Sequence, residues 1–259
     1  MFLCYDHFCW KSKIPSKTVQ TLVGHNDEVW FLEFSHNGKY LASSSKDKSS
    51  IIWEREGFMV KHKHEGHKKP VVVVLWSPDD QQVITCGENE VIKRWDVSSG
   101  HCLQTYGITD VGSVSCGWLH DGSGIIGAME DRRIHLWNLD GSVIAHEQGQ
   151  RAQKLSDVAA TRDGKWLVSL GREQNEISLF DSVTREETVI RAESMVTSFS
   201  LSRDSEFLLV NLVTQEIHVW KIADKPEPRK VFRGHKRSRM ELKMENDVLF
   251  VGIHMAQSI

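Results

Sequence analysis

The sequence lacks any apolar run longer than the six residues Val71 to Trp76. That is a strand's length, where a membrane-crossing helix needs about 20 residues. Its first residues, Met1-Phe2-Leu3-Cys4-Tyr5-Asp6, have neither the charged start nor the continuous apolar stretch of a signal peptide. Cysteine is sparse: five, an odd number, scattered at 4, 9, 86, 102 and 116. This argues against a disulfide framework and for a reducing compartment, so cytoplasm or nucleus is expected. Neither sign of charge dominates, since the net charge is −3 and the pI about 6.5. No global basic field recruits nucleic acid or an anionic membrane, and neither is expected as a partner. What the chain has is 40% apolar and 26% charged residues, without the depletion that marks disorder.

Against that background one pattern stands out. Gly24-His25 is followed 28 residues later by Trp53, and Gly66-His67 returns at the same distance before Trp95. The closing aromatic recurs at Trp53, Trp95, Trp137, Phe180 and Trp220, with spacings of 42, 42, 43 and 40. An internal turn recurs at Asn37, Asp79, Asp121, Asp163 and Asp204, with spacings of 42, 42, 42 and 41. Two independent landmarks on one period mean one unit copied five times, and about 40–45 residues is the period of propeller blades. Between the landmarks the residues alternate as strands do, as in Trp166-Leu167-Val168-Ser169-Leu170 and Ile217-His218-Val219-Trp220.

These residues resemble the WD-repeat family, in which a blade runs Gly-His, strand, turn, strand, Asp-centred turn, strand, Trp-Asp. Leu41 to Asp47 ending at Trp53, and Arg94-Trp95-Asp96, stand where that pattern wants them. The resemblance covers residues 17–239 and implies an all-β fold, a WD-repeat β-propeller of five recognisable blades plus an incomplete sixth, with ring closure left open. Blades would close near 53, 95, 137, 180 and 220. Residues 1–16 form an irregular leading segment and 240–259 an atypical tail, in which Asp247 to Ile253 has the composition of one strand. Thr18 to Leu22 alternates as an edge strand and would complete the last blade of a closed ring.

The resemblance also implies a buried polar chain in each orthodox blade. In the first it consists of His25, Ser43 or Ser45, Asp47 and Trp53. The second keeps His67, Thr85 and Trp95, with Asn89 in place of the acid and a weaker chain expected; the third keeps Asp131 and Trp137. The role is structural, because a buried carboxylate is tolerated only when paired and hydrogen-bonded. Units four and five are degenerate: Phe180-Asp181 replaces Trp-Asp, Gln174 and Thr214 or Gln215 lie near the turn acid, and neither unit has Gly-His. Apolar packing is expected to hold them.

Several chemical motifs are weaker than they look. Ser, His and Asp together suggest a hydrolase triad, but the constellation partly recurs blade after blade and its hydroxyl faces a Trp. Gly122-Ser123-Gly124-Ile125-Ile126-Gly127 matches the dinucleotide fingerprint. That fingerprint works only between a strand and a helix, and here it falls on the inter-strand turn. Cys4, His7 and Cys9 want a fourth ligand for a closed zinc site, and His62, His64 and His67 lie among four lysines. The expectation is no catalytic residue, metal or cofactor. An enzyme would need ionisable groups converging on the central channel, for which His101, Asp110 and Glu130 are the unplaced candidates.

The reading that remains is a non-enzymatic scaffold for protein–protein interaction. By repeat position, the face that leads into the inner strands carries Glu28, Trp30, Lys48, Lys69, Arg132 and Lys154. Trp30 is the strongest hot-spot candidate, with packing between blades as its alternative. The wording of Gln20 to Ser45, with Arg233 to Arg239, is similar to a branch of the family whose full-length members carry LisH and CTLH helices and serve in a CTLH-type ubiquitin ligase. That resemblance implies ligase subunits or substrates as partners. A cullin-based substrate receptor is the alternative, although no Trp-Asp-x-Arg ending is present; a further one is a truncated isoform without independent function.

Overall fold

The computed structural model describes residues 20–147, 155–171, 175–202, 204–233, 240–245 and 248–253. Their architecture is all-β. Blade 1 is β1 (Val29–Phe34), β2 (Tyr40–Ser45), β3 (Ser50–Glu54) and β4 (Val60–His64). Blade 2 is β5 (Val71–Trp76), β6 (Gln82–Gly87), β7 (Ile92–Asp96) and β8 (Cys102–Tyr106). Blade 3 is β9 (Ser113–Trp118), β10 (Gly124–Met129), β11 (Ile134–Asn138) and β12 (Val143–Glu147). Blade 4 is β13 (Leu155–Ala160), β14 (Trp166–Gly171), β15 (Glu176–Asp181) and β16 (Glu187–Arg191). Blade 5 is β17 (Val196–Leu201), β18 (Phe207–Leu212), β19 (Ile217–Lys221) and β20 (Glu227–Phe232). Each is a four-stranded antiparallel meander, and the first strand of each later blade packs on the first two strands of the blade before it, except that β17 of blade 5 meets β14 of blade 4.

The 42-residue period has a physical device behind it. In all five turns between a blade's first and second strands, the side-chain oxygen of Asn37, Asp79, Asp121, Asp163 or Asp204 accepts the backbone N–H two residues on, at 2.8–3.1 Å. The residue after each adopts a left-handed conformation: Gly38, Asp80, Gly122, Gly164 and Ser205. Short polar side chains and glycine are what such turns select. Asp80 uses this position twice over. Its carboxylate accepts the backbone N–H groups of His36 and Asn37 at 2.8 Å each, tying the turn of blade 2 to that of blade 1.

Side-chain contacts fuse the blades. The Trp76 indole donates to the Glu33 carbonyl at 3.0 Å, and one repeat later the Trp118 indole donates to the Leu75 carbonyl at 3.2 Å. Ala42 and Ile52 of blade 1 are buried with Val74, Trp76, Val83 and Trp95 of blade 2. Blades 4 and 5 share an apolar cluster from Trp166, Val168 and Leu179 to Leu208, Val210 and Leu212, as their degenerate polar positions require. The Gly122–Gly127 stretch is the expected turn and strand, with no helix for a pyrophosphate to meet.

Two expectations change. Gln20 to Leu22 lies outside the strands; Leu22 instead packs on Leu41, Ile51 and Trp53, covering the buried side chains of blade 1. Thr18 and Val19 lie outside the described residues, as do residues 1–16 with Cys4, His7 and Cys9. The tail supplies two strands rather than one: β21 (Met240–Glu245) pairs with β22 (Val248–Ile253), and β21 lies against β17 and β18. The sixth unit is thus a half-blade among the described residues.

Candidate functional site

The polar chain of blade 1 is complete. The Trp53 indole donates to Ser43 Oγ at 2.9 Å, Ser43 Oγ lies 2.7 Å from His25 Nε2, and His25 Nδ1 lies 3.0 Å from Asp47 Oδ2. With Nδ1–H donated to the carboxylate, Nε2 accepts the Ser43 hydroxyl, so one tautomer satisfies the whole chain. Of the two hydroxyls considered, Ser43 is therefore the member; Ser45 Oγ instead accepts from the Asp47 backbone N–H. Burial alone would raise the Asp47 carboxyl. Hydrogen bonds from Ser49 Oγ, Asn26 N and His25 outweigh it and hold the group well below the usual carboxylate range.

These are the contacts of a Ser-His-Asp triad with no access to it. Ser43 is 2% exposed and its oxygen is already claimed by the Trp53 indole. The arrangement locks the chain entering β1 onto the blade.

Blade 2 corrects the weaker chain expected from Asn89. Trp95 donates to Thr85 Oγ1 at 2.9 Å and Thr85 Oγ1 meets His67 Nε2 at 2.8 Å, but the acid is Glu90, with Oε2 2.9 Å from His67 Nδ1. Asn89 takes a left-handed conformation, and the side chain after it, one methylene longer than Asp, reaches back. Glu90 Oε1 also accepts the Lys68 backbone N–H. Burial pushes the His67 imidazole down, partly offset by Glu90.

Blade 3 keeps both expected residues in a different circuit. Gly127 stands where Ser43 and Thr85 stand, and a Cβ there would come within 2.8 Å of the Trp137 ring. Asp131 Oδ2 instead meets His135 Nε2 at 2.9 Å, and that imidazole stacks on Trp137 at 5.6 Å. Blade 5 repeats the substitution, with Glu216 holding His218 at 3.1 Å and Arg233 at 2.6 Å. Glu90, His135 and Glu216 were invisible to motif matching because it fixes residue positions. An acid or imidazole displaced by one to several residues reaches the same space.

The histidine group separates likewise. His62 Nε2 lies 3.1 Å from the Ser98 carbonyl, His67 belongs to the polar chain, and His64 stacks on Trp95 at 4.7 Å. Desolvation, helped by the nearby His62, pushes His64 down to about 4. Among the described residues no group of three or more His, Cys, Asp or Glu could hold a metal ion.

The rim around the loops that enter β1, β5, β9 and β17 is a separate surface. It is knitted by the Lys46, Glu88, Glu130 and Val213 N–H groups donating to the carbonyls of Glu28, Pro70, Gly112 and Met195 at 2.8–2.9 Å. Glu28, Lys48, Lys69 and Arg132 are exposed there, with Lys48 and Arg132 at left-handed turn positions. Lys154 lies outside the described residues. Trp30 is half-buried, and its indole donates to Glu28 Oε2 at 3.0 Å while Lys46 Nζ holds Glu28 Oε1 at 3.2 Å. The Trp30 bond, then Lys46, draws the Glu28 carboxyl down.

Trp30 also lines a central channel of about 600 Å³, together with the equivalent Val72, Val114, Ser156 and Thr197. His101, Asp110 and Glu130 do not converge on it: the acidic and basic side chains that line it are Glu33, Asp157 and Arg162. Among the described residues no helix is long and apolar enough to cross a membrane.

The family model described as WD domain, G-beta repeat, matches residues 16–54 and 59–96. WD repeat-containing protein 26 homolog of Arabidopsis thaliana is 55% identical over 237 residues, 90% of this chain and 40% of that protein. WD repeat-containing protein WDS homolog of the same plant is 41% identical over 90% of this chain and 46% of its own length. GID complex subunit 7 of Schizosaccharomyces pombe is 34% identical over 89% of this chain and 46% of its own length. The chain thus spans less than half the length of these relatives. With its five-fold turn device, its four-stranded blades and these matches, the chain belongs to the WD-repeat family, among relatives of the WD repeat-containing protein 26 homologues.

Proposed function

We propose that this chain is a protein-binding scaffold of the cytoplasm or nucleus, whose rim docks a subunit or substrate of a CTLH-type ubiquitin ligase. The observation that carries the reading is Trp30. Of the five equivalent positions at the channel mouth (30, 72, 114, 156 and 197) it is the aromatic one, and the Lys46–Glu28–Trp30 contacts fix its orientation before any partner arrives. An aromatic side chain pre-ordered on a rigid blade loses little entropy on binding, which is how interface hot spots arise. Glu28, Lys48, Lys69 and Arg132 around it supply orientation and selectivity more than affinity. Similarity to a protein named as a GID complex subunit supports the ligase setting.

The test is co-precipitation of Trp30→Ala and Arg132→Glu variants with purified subunits of a CTLH-type ligase, each variant first shown to melt like the parent chain. Trp30→Ala is expected to weaken association by roughly 30-fold, an ordinary hot-spot loss of about 2 kcal/mol. Association unchanged in both variants would remove this rim as the docking face.

A further inference from the structure

Two register positions recur at the joints between successive blades, one near the end of a blade's second strand and the other in the first strand of the blade that follows. Between blades 1 and 2 they hold Ser44 and Val74, and between blades 3 and 4 Ala128 and Val158. Between blades 2 and 3 both are cysteine. Cys86 pairs with Val73 as Ser44 pairs with Phe31, and Cys116 pairs with Gly127 as Val74 pairs with Thr85. Serine, alanine and valine fill the equivalent places, so packing alone does not call for sulfur on both sides of this joint.

The two cysteines belong to one buried cluster formed where β6 packs on β9, and both are free thiols. Cys86 is 0% and Cys116 2% exposed, and their thiols adjoin across the joint. They are not equivalent. Cys86 Sγ also lies 3.1 Å from Ser113 Oγ. The Cys116 thiol draws the Cys86 thiol down against its burial, with help from the Ser113 hydroxyl. Cys86 and then burial push the Cys116 thiol well above the ordinary thiol range. Cys116 therefore holds its proton, and Cys86 is the sulfur that ionises first. Cys116 in turn borders the central channel, which gives a small solute a way to the pair.

We propose that Cys86 and Cys116 are a redox-sensitive pair, which a hydroperoxide entering the channel closes to a disulfide that locks blade 2 to blade 3. The Cys86 thiolate attacks one oxygen of hydrogen peroxide, the O–O bond breaks, and Cys86 becomes a sulfenic acid as hydroxide leaves. The Cys116 sulfur then attacks the Cys86 sulfur, and the sulfenic hydroxyl departs as water with the Cys116 proton. Two thiols and one peroxide give one disulfide and two waters; the sulfurs lose the two electrons that the O–O bond takes up. The bond ties the second strand of one sheet to the first strand of the next, a link that no backbone ladder makes. In a reducing compartment such a bond is transient, which suits a sensor better than a permanent brace.

The experiment treats the folded chain carrying Cys102→Ser with hydrogen peroxide, maps disulfides by mass spectrometry of tryptic peptides, and follows thermal melting. Cys102 is exposed and shares a tryptic peptide with Cys116, so replacing it makes the assignment unambiguous. Cys86→Ala and Cys116→Val are the controls. Each places the residue of a sister blade, as at Ala128 and Val158, in the same register, so both keep the fold. The expected result is a link from Cys86 to Cys116 within one chain, a melting temperature raised by roughly 5 °C, and recovery of both thiols with dithiothreitol. Neither control is expected to shift. Thiols at 86 and 116 that stay free after peroxide, or that link only once urea is added, overturn the proposal. So does a link that leaves the melting temperature unmoved or lowers it, or a control that shifts as far as the parent.

Discussion

At the scale of single residues, the polar chains are expected to stabilise the fold in proportion to how completely they are wired. Asp47 accepts from His25, Asn26 N, Ser49 N and Ser49 Oγ, so Asp47→Ala strands several donors at once and is expected to cost about 3 kcal/mol in urea unfolding. Glu90→Gln is expected to cost less, because the amide still accepts from the Lys68 backbone N–H. Restoring the family hydroxyl in blade 3 has the opposite sign to what pattern matching implies. Gly127→Ser puts a Cβ within 2.8 Å of both Ile92 and Trp137 and is expected to destabilise by roughly 1–3 kcal/mol. A protein stabilised by that change would mean that the glycine does not make room for the ring. His64 contributes most to the pH dependence below 6.5, with a contribution of the same sign from buried His67. The folded-state value of His64, near 4, lies below the ordinary 6.5, so the unfolded chain binds the proton more readily. Stability from this group is full above 6.5 and declines as pH falls from 6.5 towards 4, by about 3 kcal/mol in all. His64→Gln is expected to reduce the slope of the unfolding free energy across that window, leaving the part due to His67; an unchanged slope would place the titration elsewhere.

At the scale of elements, the turns are where the sequence speaks most plainly. The 42-residue beat of Asn37, Asp79, Asp121, Asp163 and Asp204 is one hydrogen-bonding job done five times, and it survives in blades 4 and 5 after Gly-His has gone. The strands between were legible for the same reason, because alternation is set by burial on a blade face whatever the exact residues. What was illegible is whatever depends on reach across space. Nothing local marks Glu90 as the partner of His67, or His135 as the imidazole of blade 3, since a side chain one position along and one methylene longer fills the same role. Leu22 misled in the other direction: its alternating neighbours suggest an edge strand, whereas burial against Trp53 fixes it without a ladder. Asp80 offers the test at this scale. It looks like an ordinary turn residue, yet it receives two backbone N–H groups from the preceding blade while 5% exposed. Asp80→Ala is expected to lose about 2–3 kcal/mol, more than Ser205→Ala, whose hydroxyl receives one such bond at 3.2 Å. Equal losses would show that the cross-blade contact contributes nothing beyond the turn itself.

At the scale of the whole molecule, an array of blades is held together joint by joint, so its stability is not uniform along the chain. Interior strands have a neighbour on both faces: Val74, Cys116 and Val158 are all nearly inaccessible to water. Among the described residues blade 1 has a neighbour on one face only, and its inner strand keeps Val29, Leu32 and Phe34 exposed. The joint between blades 4 and 5 rests chiefly on the large apolar cluster, whereas the joint between blades 1 and 2 adds indole and carboxylate hydrogen bonds to an apolar cluster of its own. Opening should therefore begin at blade 1 and proceed inward, and amide hydrogen exchange reads this directly. At low protein concentration, Val29–Phe34 is expected to exchange faster than Ile134–Trp137 by roughly 100-fold, the equivalent of about 3 kcal/mol between local opening of an end blade and that of a flanked one. Equal protection of the two strands at the lowest concentration would mean that blade 1 already has a neighbour within its own chain. The polar chain of His25, Ser43, Asp47 and Trp53 would then be one member of a closed ring rather than the brace of an exposed end.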